Sequence, residues 1–347
     1  MLRAIAIRGA VGLAAVMLTL GAAEAVLRVA GFAPTFTEQR LLVKLDARAL
    51  YRVLPGTRDD LNSAGFRDRE FVRAKSGRKR ILMVGDSFLM GLNVPPHQVL
   101  PVRLQERIGD GFEVYNMGVL GYGPDQALVR LLDEGLDLDP DIVVLGLFPA
   151  NDFADLYENQ LFTVDANGRL APHPDNPVQT VLRTPRLAML ARRALTGEFF
   201  REGEQDEIVE RLFGDGYDLL RDVDSPESLQ KIAIMRAVLR EFQGALEQRG
   251  IPFWVLVIPS YENIQNDANF RRKGIPREEY FRNEELVMGL CGELGIRCID
   301  LSAAFRQHRL AGLYSNFDRH MSPTGLELSA RVLGRSMGLI APDEGAR

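Results

Sequence analysis

Arg80-Ile81-Leu82-Met83-Val84 runs straight into Gly85-Asp86-Ser87, and the fold is decided by how this stretch is read. An unbroken apolar run closed by a glycine turn reads as a strand buried on both faces. The same signature returns at Ile142-Val143-Val144-Leu145-Gly146-Leu147. It returns again at Phe253-Trp254-Val255-Leu256-Val257-Ile258, bounded by Pro252 and Pro259. Phe112-Glu113-Val114-Tyr115 and Ile296-Arg297-Cys298-Ile299 read as weaker strands. Helical periodicity fills the intervals, at about 97–109, 124–136, 226–249, 278–294 and 323–338. Apolar strands separated by helices predict an α/β fold, a three-layer α/β/α sandwich with a central parallel sheet. In such sheets ligands collect outside the carboxyl ends of the strands.

The rhythm breaks between about 153 and 225. That stretch holds Asp165-Ala166-Asn167-Gly168, a proline-bearing run from Ala171 to Pro177, and a basic helical piece from Arg183 to Leu195. It reads as an insertion capping the sheet's active edge rather than as a second folding unit. The chain then divides into an N-terminal segment (1–30), a lead-in (31–79) and an α/β domain (80–340).

Four strand exits or helix entries carry polar residues suited to chemistry. Ser87 follows the first strand on a glycine turn, where a nucleophile is exposed and helix-start N–H groups can receive an oxyanion; a turn with a capping serine looks the same. Asn116-Met117-Gly118-Val119-Leu120-Gly121-Tyr122-Gly123 offers backbone for close approach to a ligand, or a plain helix-entry turn before Pro124. Asn151, after Phe148-Pro149-Ala150, can aim an amide N–H at the same point or serve as a cap. Asp318-Arg319-His320 sets a carboxylate beside an imidazole ahead of the last helix. There the acid can fix the histidine tautomer and stabilise imidazolium. His97, His173 and His308 have no such setting.

In this order the four blocks resemble the SGNH (GDSL-type) hydrolase superfamily over roughly residues 80–340. Gly85-Asp86-Ser87 resembles its first block, Gly121 the glycine of the second, Asn151 the asparagine of the third, and His320 the histidine of the last. Leu61-Asn62-Ser63-Ala64-Gly65-Phe66-Arg67-Asp68 is similar to the lead-in of membrane-anchored bacterial members. The resemblance implies an SGNH/flavodoxin-like sheet, Ser87 as nucleophile and His320 as general base. It also implies an oxyanion hole from the Ser87 and Gly121 N–H groups and the Asn151 side chain. Pro149 stands where the family usually has glycine. The acid, usually three residues before the histidine, is here Asp318, two before it. Residues two apart in a regular strand share a face, so the carboxylate is expected to meet the imidazole and raise its pKa above ~6.5. Without that contact the site reduces to a Ser–His dyad.

The whole-chain numbers bound the rest. Of 347 residues, 46% are hydrophobic and 26% charged, and 42 basic against 47 acidic residues leave a net charge of −5. That mix excludes a disordered or multi-span chain and gives no support for nucleic-acid binding. Two cysteines and four histidines, without a CxxC pair or HExxH helix, argue against a metal site. No nucleotide or flavin motif is present, so no cofactor is expected. Arg3 and Arg8 precede the uncharged run Gly9–Ala23, the layout of an export signal. Ala23-Glu24-Ala25 has the form of a cleavage site, while apolar residues continue to Ala30. A retained signal anchor and secretion after cleavage near Ala25 are both open, with the anchor favoured and the domain outside the cytoplasm. Cys291 and Cys298 flank Gly295 and suit either a disulfide or two buried thiols.

These features predict an exported serine esterase or O-acyltransferase. By the resemblance, it acts on small acyl groups, O-acetyl above all, of envelope or secreted polysaccharide. Its partners are then the acylated carbohydrate or another ester, and the membrane. A silent scaffold of a polysaccharide machine and a lipid esterase or lysophospholipase are the alternatives.

Overall fold

The computed structural model describes residues 2–38, 41–196, 199, 218–308 and 312–341. Helix α1 (Leu2–Val29) leads into three short antiparallel strands, β1 (Thr35–Glu38), β2 (Leu41–Asp46) and β3 (Leu50–Val53), in the order β1-β2-β3. The central sheet follows: β4 (Lys79–Gly85), β5 (Phe112–Gly118), β6 (Ile142–Leu147), then, beyond a hairpin β7 (Phe162–Val164) and β8 (Leu170–Pro172), β9 (Phe253–Val257) and β10 (Arg297–Asp300). Its order is β10-β9-β6-β4-β5, and every pairing is parallel. The architecture is the three-layer α/β/α sandwich.

The reason lies in the alternation of side chains along each strand. Leu82 and Val84 of β4 enter one buried cluster, Ile81 and Met83 the other. Likewise Val143, Leu145 and Leu147 of β6 face the first cluster and Val144 the second. Each face meets helices, so neither phase of the alternation can be polar. The helices after β4, β5 and β6 are α2 (Ser87–Met90), α3 (Leu100–Ile108), α4 (Pro124–Arg130) and α5 (Pro149–Glu158). The later layers are the helices Pro226–Glu247, Arg282–Leu294 and Pro323–Ser336.

The lead-in is more than a connection. Leu41, Val43 and Leu45 of β2 join the first cluster, and Tyr51 and Tyr122 interlock: the Tyr51 hydroxyl donates to Leu120 O and the Tyr122 hydroxyl to Tyr51 O. Of the predicted insertion, residues 197–198 and 200–217 lie outside the described residues. Its described part contributes the β7–β8 hairpin and helices α6 (Pro177–Arg183) and α7 (Arg186–Thr196). Val178 and Leu182 of α6 enter the first cluster. Cys291 and Cys298 are bonded across the Gly295 turn, which resolves the open choice in favour of the disulfide.

Candidate active site

Neighbouring strands bring the first three blocks to one end of the sheet. Strand β4 lies between β5 and β6, so Ser87, the turn at Gly121 and Asn151 leave three adjacent carboxyl ends. Ser87 opens α2, whose N-cap is Asp86: its Oδ1 accepts the Phe88 N–H at 2.9 Å. The strand must arrive at α2 without a side chain at Gly85, because a Cβ there would stand 2.6 Å from Gly146 O. Gly121 holds φ at +67°, the left-handed region that favours glycine. Among the described residues no protein acceptor takes the Ser87 or Gly121 N–H, which leaves both donors for a ligand.

Arg67 fixes the far end of α2. Its guanidinium, 3% exposed, donates to Met90 O, Gly91 O and Val94 O, while Nε pairs with Asp60 at 2.7 Å. Asn116 joins the same knot, donating from Nδ2 to Arg67 O and Leu89 O. Through Arg67, the Leu61–Asp68 stretch satisfies the carbonyls at the end of a four-residue helix too short to hold itself.

His320 reaches Ser87 from the other end of the chain. Its Nε2 lies 2.8 Å from Ser87 Oγ, a contact between residues 233 apart in sequence. Nδ1 lies 3.1 Å from the Asp318 backbone carbonyl. A carbonyl oxygen only accepts, so Nδ1 carries the proton and Nε2 is left to accept from the serine hydroxyl. The Asp318 carboxylate stands at 3.7 Å from Nδ1, too far for a hydrogen bond, and one of its oxygens accepts the His320 backbone N–H at 3.3 Å. The expected side-by-side strand geometry is therefore corrected. Arg319 sits at φ +63°, which reverses the chain between the two residues and turns the carbonyl, not the carboxylate, toward the ring. Arg319 is held there by an ion pair with Glu262 at 2.6 Å, and Tyr261 donates to Asn316 at 3.0 Å.

The expected rise in the His320 pKa is corrected too. Burial, against the Phe88 ring at 4.9 Å, outweighs the Asp318 charge and its backbone hydrogen bond, and holds the imidazole below its ordinary value. The neutral base is favoured.

A cleft of about 380 Å³ opens over Ser87 and His320. Leu92, Asn93 and Leu120 form its walls, Arg58 and Asp318 bring charge, and Phe317 stands fully exposed at the rim. Arg58 is held by Asp60 through two bonds of 2.8 and 2.9 Å. Among the described residues, the lining of this cleft comes from Arg58 of the lead-in, from the segments after β4 and β5, and from the histidine loop. Asn151 occupies the first turn of α5, and its Oδ1 is buried with no partner. It makes no hydrogen bond with Ser87 or His320. Pro149 fits the first helical position, where the missing N–H costs nothing.

Several residues here were missed by motif reading. Asp86, Asp125, Asp152 and Asp155 are all buried. Burial pushes Asp86 and Asp125 up to about 7 and Asp152 and Asp155 well above the carboxylate range, and the mutual charges reinforce Asp152 and Asp155. Asp86 and Asp152 stand next to Ser87 and Asn151, which was the one available signal. Arg67 is marked only as part of the Leu61–Asp68 lead-in motif, and Arg58 and Glu262 carry no local sequence mark.

Residues 213–343 match the family described as "SGNH hydrolase-like domain, acetyltransferase AlgX". The matched stretch includes Asp318 and His320 and begins beyond Ser87, Gly121 and Asn151. No curated protein matches the chain. Similar solved structures include a lipase/acylhydrolase from Enterococcus faecalis, at 16% identity, covering 77% of this chain and 100% of that one with a TM-score of 0.43. Another is a catalytic mutant of Axe2, an acetylxylan esterase from Geobacillus stearothermophilus, at 16% identity, 78% and 100% coverage and a TM-score of 0.42.

Proposed function

We propose that this chain is an SGNH-type enzyme, a reading supported by the family match over residues 213–343, and that it is an exported serine esterase or O-acyltransferase working through an acyl-serine intermediate. The observation that carries the reading is the 2.8 Å hydrogen bond from Ser87 Oγ to His320 Nε2, with Nδ1–H held by the Asp318 carbonyl. In the first half, Ser87 Oγ attacks the ester carbonyl while its proton passes to Nε2. The charge that develops on the carbonyl oxygen falls to the Ser87 and Gly121 N–H groups and the Asn151 amide. Collapse expels the alcohol oxygen, which takes the proton back from Nε2 and leaves the acyl group on Ser87. In the second half, water or a sugar hydroxyl gives its proton to Nε2 and attacks the acyl carbon, and Ser87 Oγ leaves as the proton returns. Asp318 acts as the histidine's charged neighbour, completing the assignment of Ser87, Asp318 and His320.

The matched family's acetyltransferase description favours a small acyl group, and an open cleft that sets Arg58, Asn93 and Asp318 beside the apolar Leu92 and Leu120 has polar groups to meet a carbohydrate O-acetyl ester. Export and a retained anchor are supported by the apolar helix segment Ile7–Val29, which has Arg8 at its inner end, and by a disulfide that suits an oxidising space. We keep 80–340 as the catalytic domain, with 153–225 as its insertion. A serine-reactive phosphonate tests the core of this reading. It should label Ser87, and Ser87→Ala should lose both labelling and cleavage of p-nitrophenyl acetate. Labelling that persists in Ser87→Ala would overturn the assignment.

A further inference from the structure

Glu24 is an acid inside the apolar run of α1, and the catalytic reading leaves it without a role. Its Oε2 accepts the Leu187 N–H at 3.0 Å, in the first turn of α7, where helix N–H groups lack partners of their own. Its Oε1 meets Arg28 Nε at 2.6 Å, one turn further along α1. Just beyond the other end of α7, Phe199 packs on Phe32 with ring centroids 5.8 Å apart, and Arg193 lies over the Phe199 ring. Helix α7 is therefore tied at both ends to the short segment where α1 finishes and the lead-in begins.

That tie sets its height. A hydrocarbon core of ~30 Å takes about 20 helical residues at ~1.5 Å each. Counted from Gly9, just past Arg8, the outer boundary falls near Arg28. Glu24 then lies about one turn inside it and Phe32 about one turn beyond. The contacts place α7 across this same narrow layer. Its composition fits such a place: from Asn176 to Gly197 there are four arginines, Arg183, Arg186, Arg192 and Arg193, and no acid, in a chain of net charge −5. Arg186 turns inward to Leu182 O at 2.8 Å, whereas Arg183 and Arg193 are exposed. Ala188, Ala191 and Ala194 are exposed as well, beside Leu195 at 86%. A small apolar face edged by cations is what an interfacial helix presents to acyl chains and lipid phosphates.

We propose that α7 is an interfacial helix, seated in the outer headgroup layer of the bilayer that α1 spans. Arg183 and Arg193 face lipid phosphates and Leu195 faces the acyl boundary. The catalytic domain is thereby docked on the membrane rather than swung on a free tether. The proposal rests on the retained-anchor reading.

The test uses the full chain in vesicles of phosphatidylcholine with phosphatidylglycerol. The described residues contain no free cysteine, so Leu18→Cys, Leu195→Cys and Leu229→Cys each give one site for an environment-sensitive fluorophore. Docking predicts that the Leu195 probe shifts to the blue and is quenched by a headgroup-level nitroxide lipid. The Leu18 probe should be quenched by an acyl-chain nitroxide, and the Leu229 probe, on the exposed side of Pro226–Glu247, by neither. Replacing phosphatidylglycerol by phosphatidylcholine, or introducing Arg183→Glu with Arg193→Glu, should weaken the Leu195 response, by about fivefold in docked ratio per arginine. The lipid exchange needs no change in α7 and stands if the double variant fails to fold. A water-exposed Leu195 probe beside a lipid-quenched Leu18 probe overturns docking and leaves the anchor standing. A Leu18 probe in water overturns both.

Discussion

Replacing Asp318 by asparagine separates two ways of steering His320. The proton on Nδ1 is held by the Asp318 backbone carbonyl at 3.1 Å, which the substitution leaves in place. The carboxylate, at 3.7 Å, acts through its charge alone. Two unit charges at that distance interact by about 1 kcal/mol in water and about 4 kcal/mol at an effective dielectric of ~20. The imidazole and carboxylate side chains are 27% and 31% exposed, and solvent screening draws the value toward the lower end, about 1–2 kcal/mol. Asp318→Asn should therefore lower kcat by about 5–30-fold. A triad whose carboxylate sets the tautomer loses ~10⁴-fold on the same change. The assay is p-nitrophenyl acetate cleavage by the parent, Asp318→Asn and His320→Ala, at a pH where the histidine is neutral, with kcat and KM resolved. His320→Ala should be as inactive as Ser87→Ala. A 10⁴-fold loss in Asp318→Asn would refute the carbonyl-held tautomer and restore the carboxylate to Nδ1. A loss below about twofold would mean that the charge is fully screened.

Asn151→Ala should lower kcat by about 100–1000-fold with little change in KM, as loss of one oxyanion donor does; a KM effect with normal kcat would move Asn151 to substrate binding. Because burial holds His320 below its ordinary value, the acid limb of kcat/KM should have its midpoint below pH ~6.5, whereas a midpoint above 6.5 would put the carboxylate in command. Asp155, buried with an unpartnered Oδ2, has its folded-state pKa raised well above 3.8, by burial first and then by the Asp86 and Asp125 charges. Its contribution to stability is thus complete below pH ~3.8 and lost as pH rises toward the folded value. Asp155→Asn should melt above the parent at neutral pH and lose that advantage near pH 4, and a gap independent of pH would show that ionisation of Asp155 is not the cause.

How much of this was legible depends on how local each cause is. The core strands announce themselves because β4 and β6 divide alternate residues between two separate clusters, which forces an unbroken apolar run. The lead-in sheet stayed hidden because β1 and β3 have four residues each, too few to display a period, and β2 places Leu42 beside Lys44 and Asp46 on its less buried side. Ser87 and His320 could be named from their order along the chain. The path of the chain between Asp318 and His320 could not, because an extended backbone was the only local guess. The left-handed turn at Arg319 is held by Glu262, 57 residues away. The buried carboxyls are the sharpest case. Asp86 and Asp152 adjoin Ser87 and Asn151, and as residue types they announce negative charge beside a developing oxyanion, which would oppose it. Burial weakens that meaning: a carboxyl deprived of water holds its proton to higher pH, Asp86 up to about 7 and Asp152 well above the carboxylate range. Asp86 accepts the Phe88 N–H that starts α2, and its raised pKa lessens the charge it sets against the oxyanion. Only packing, which no spacing of residues encodes, makes that difference.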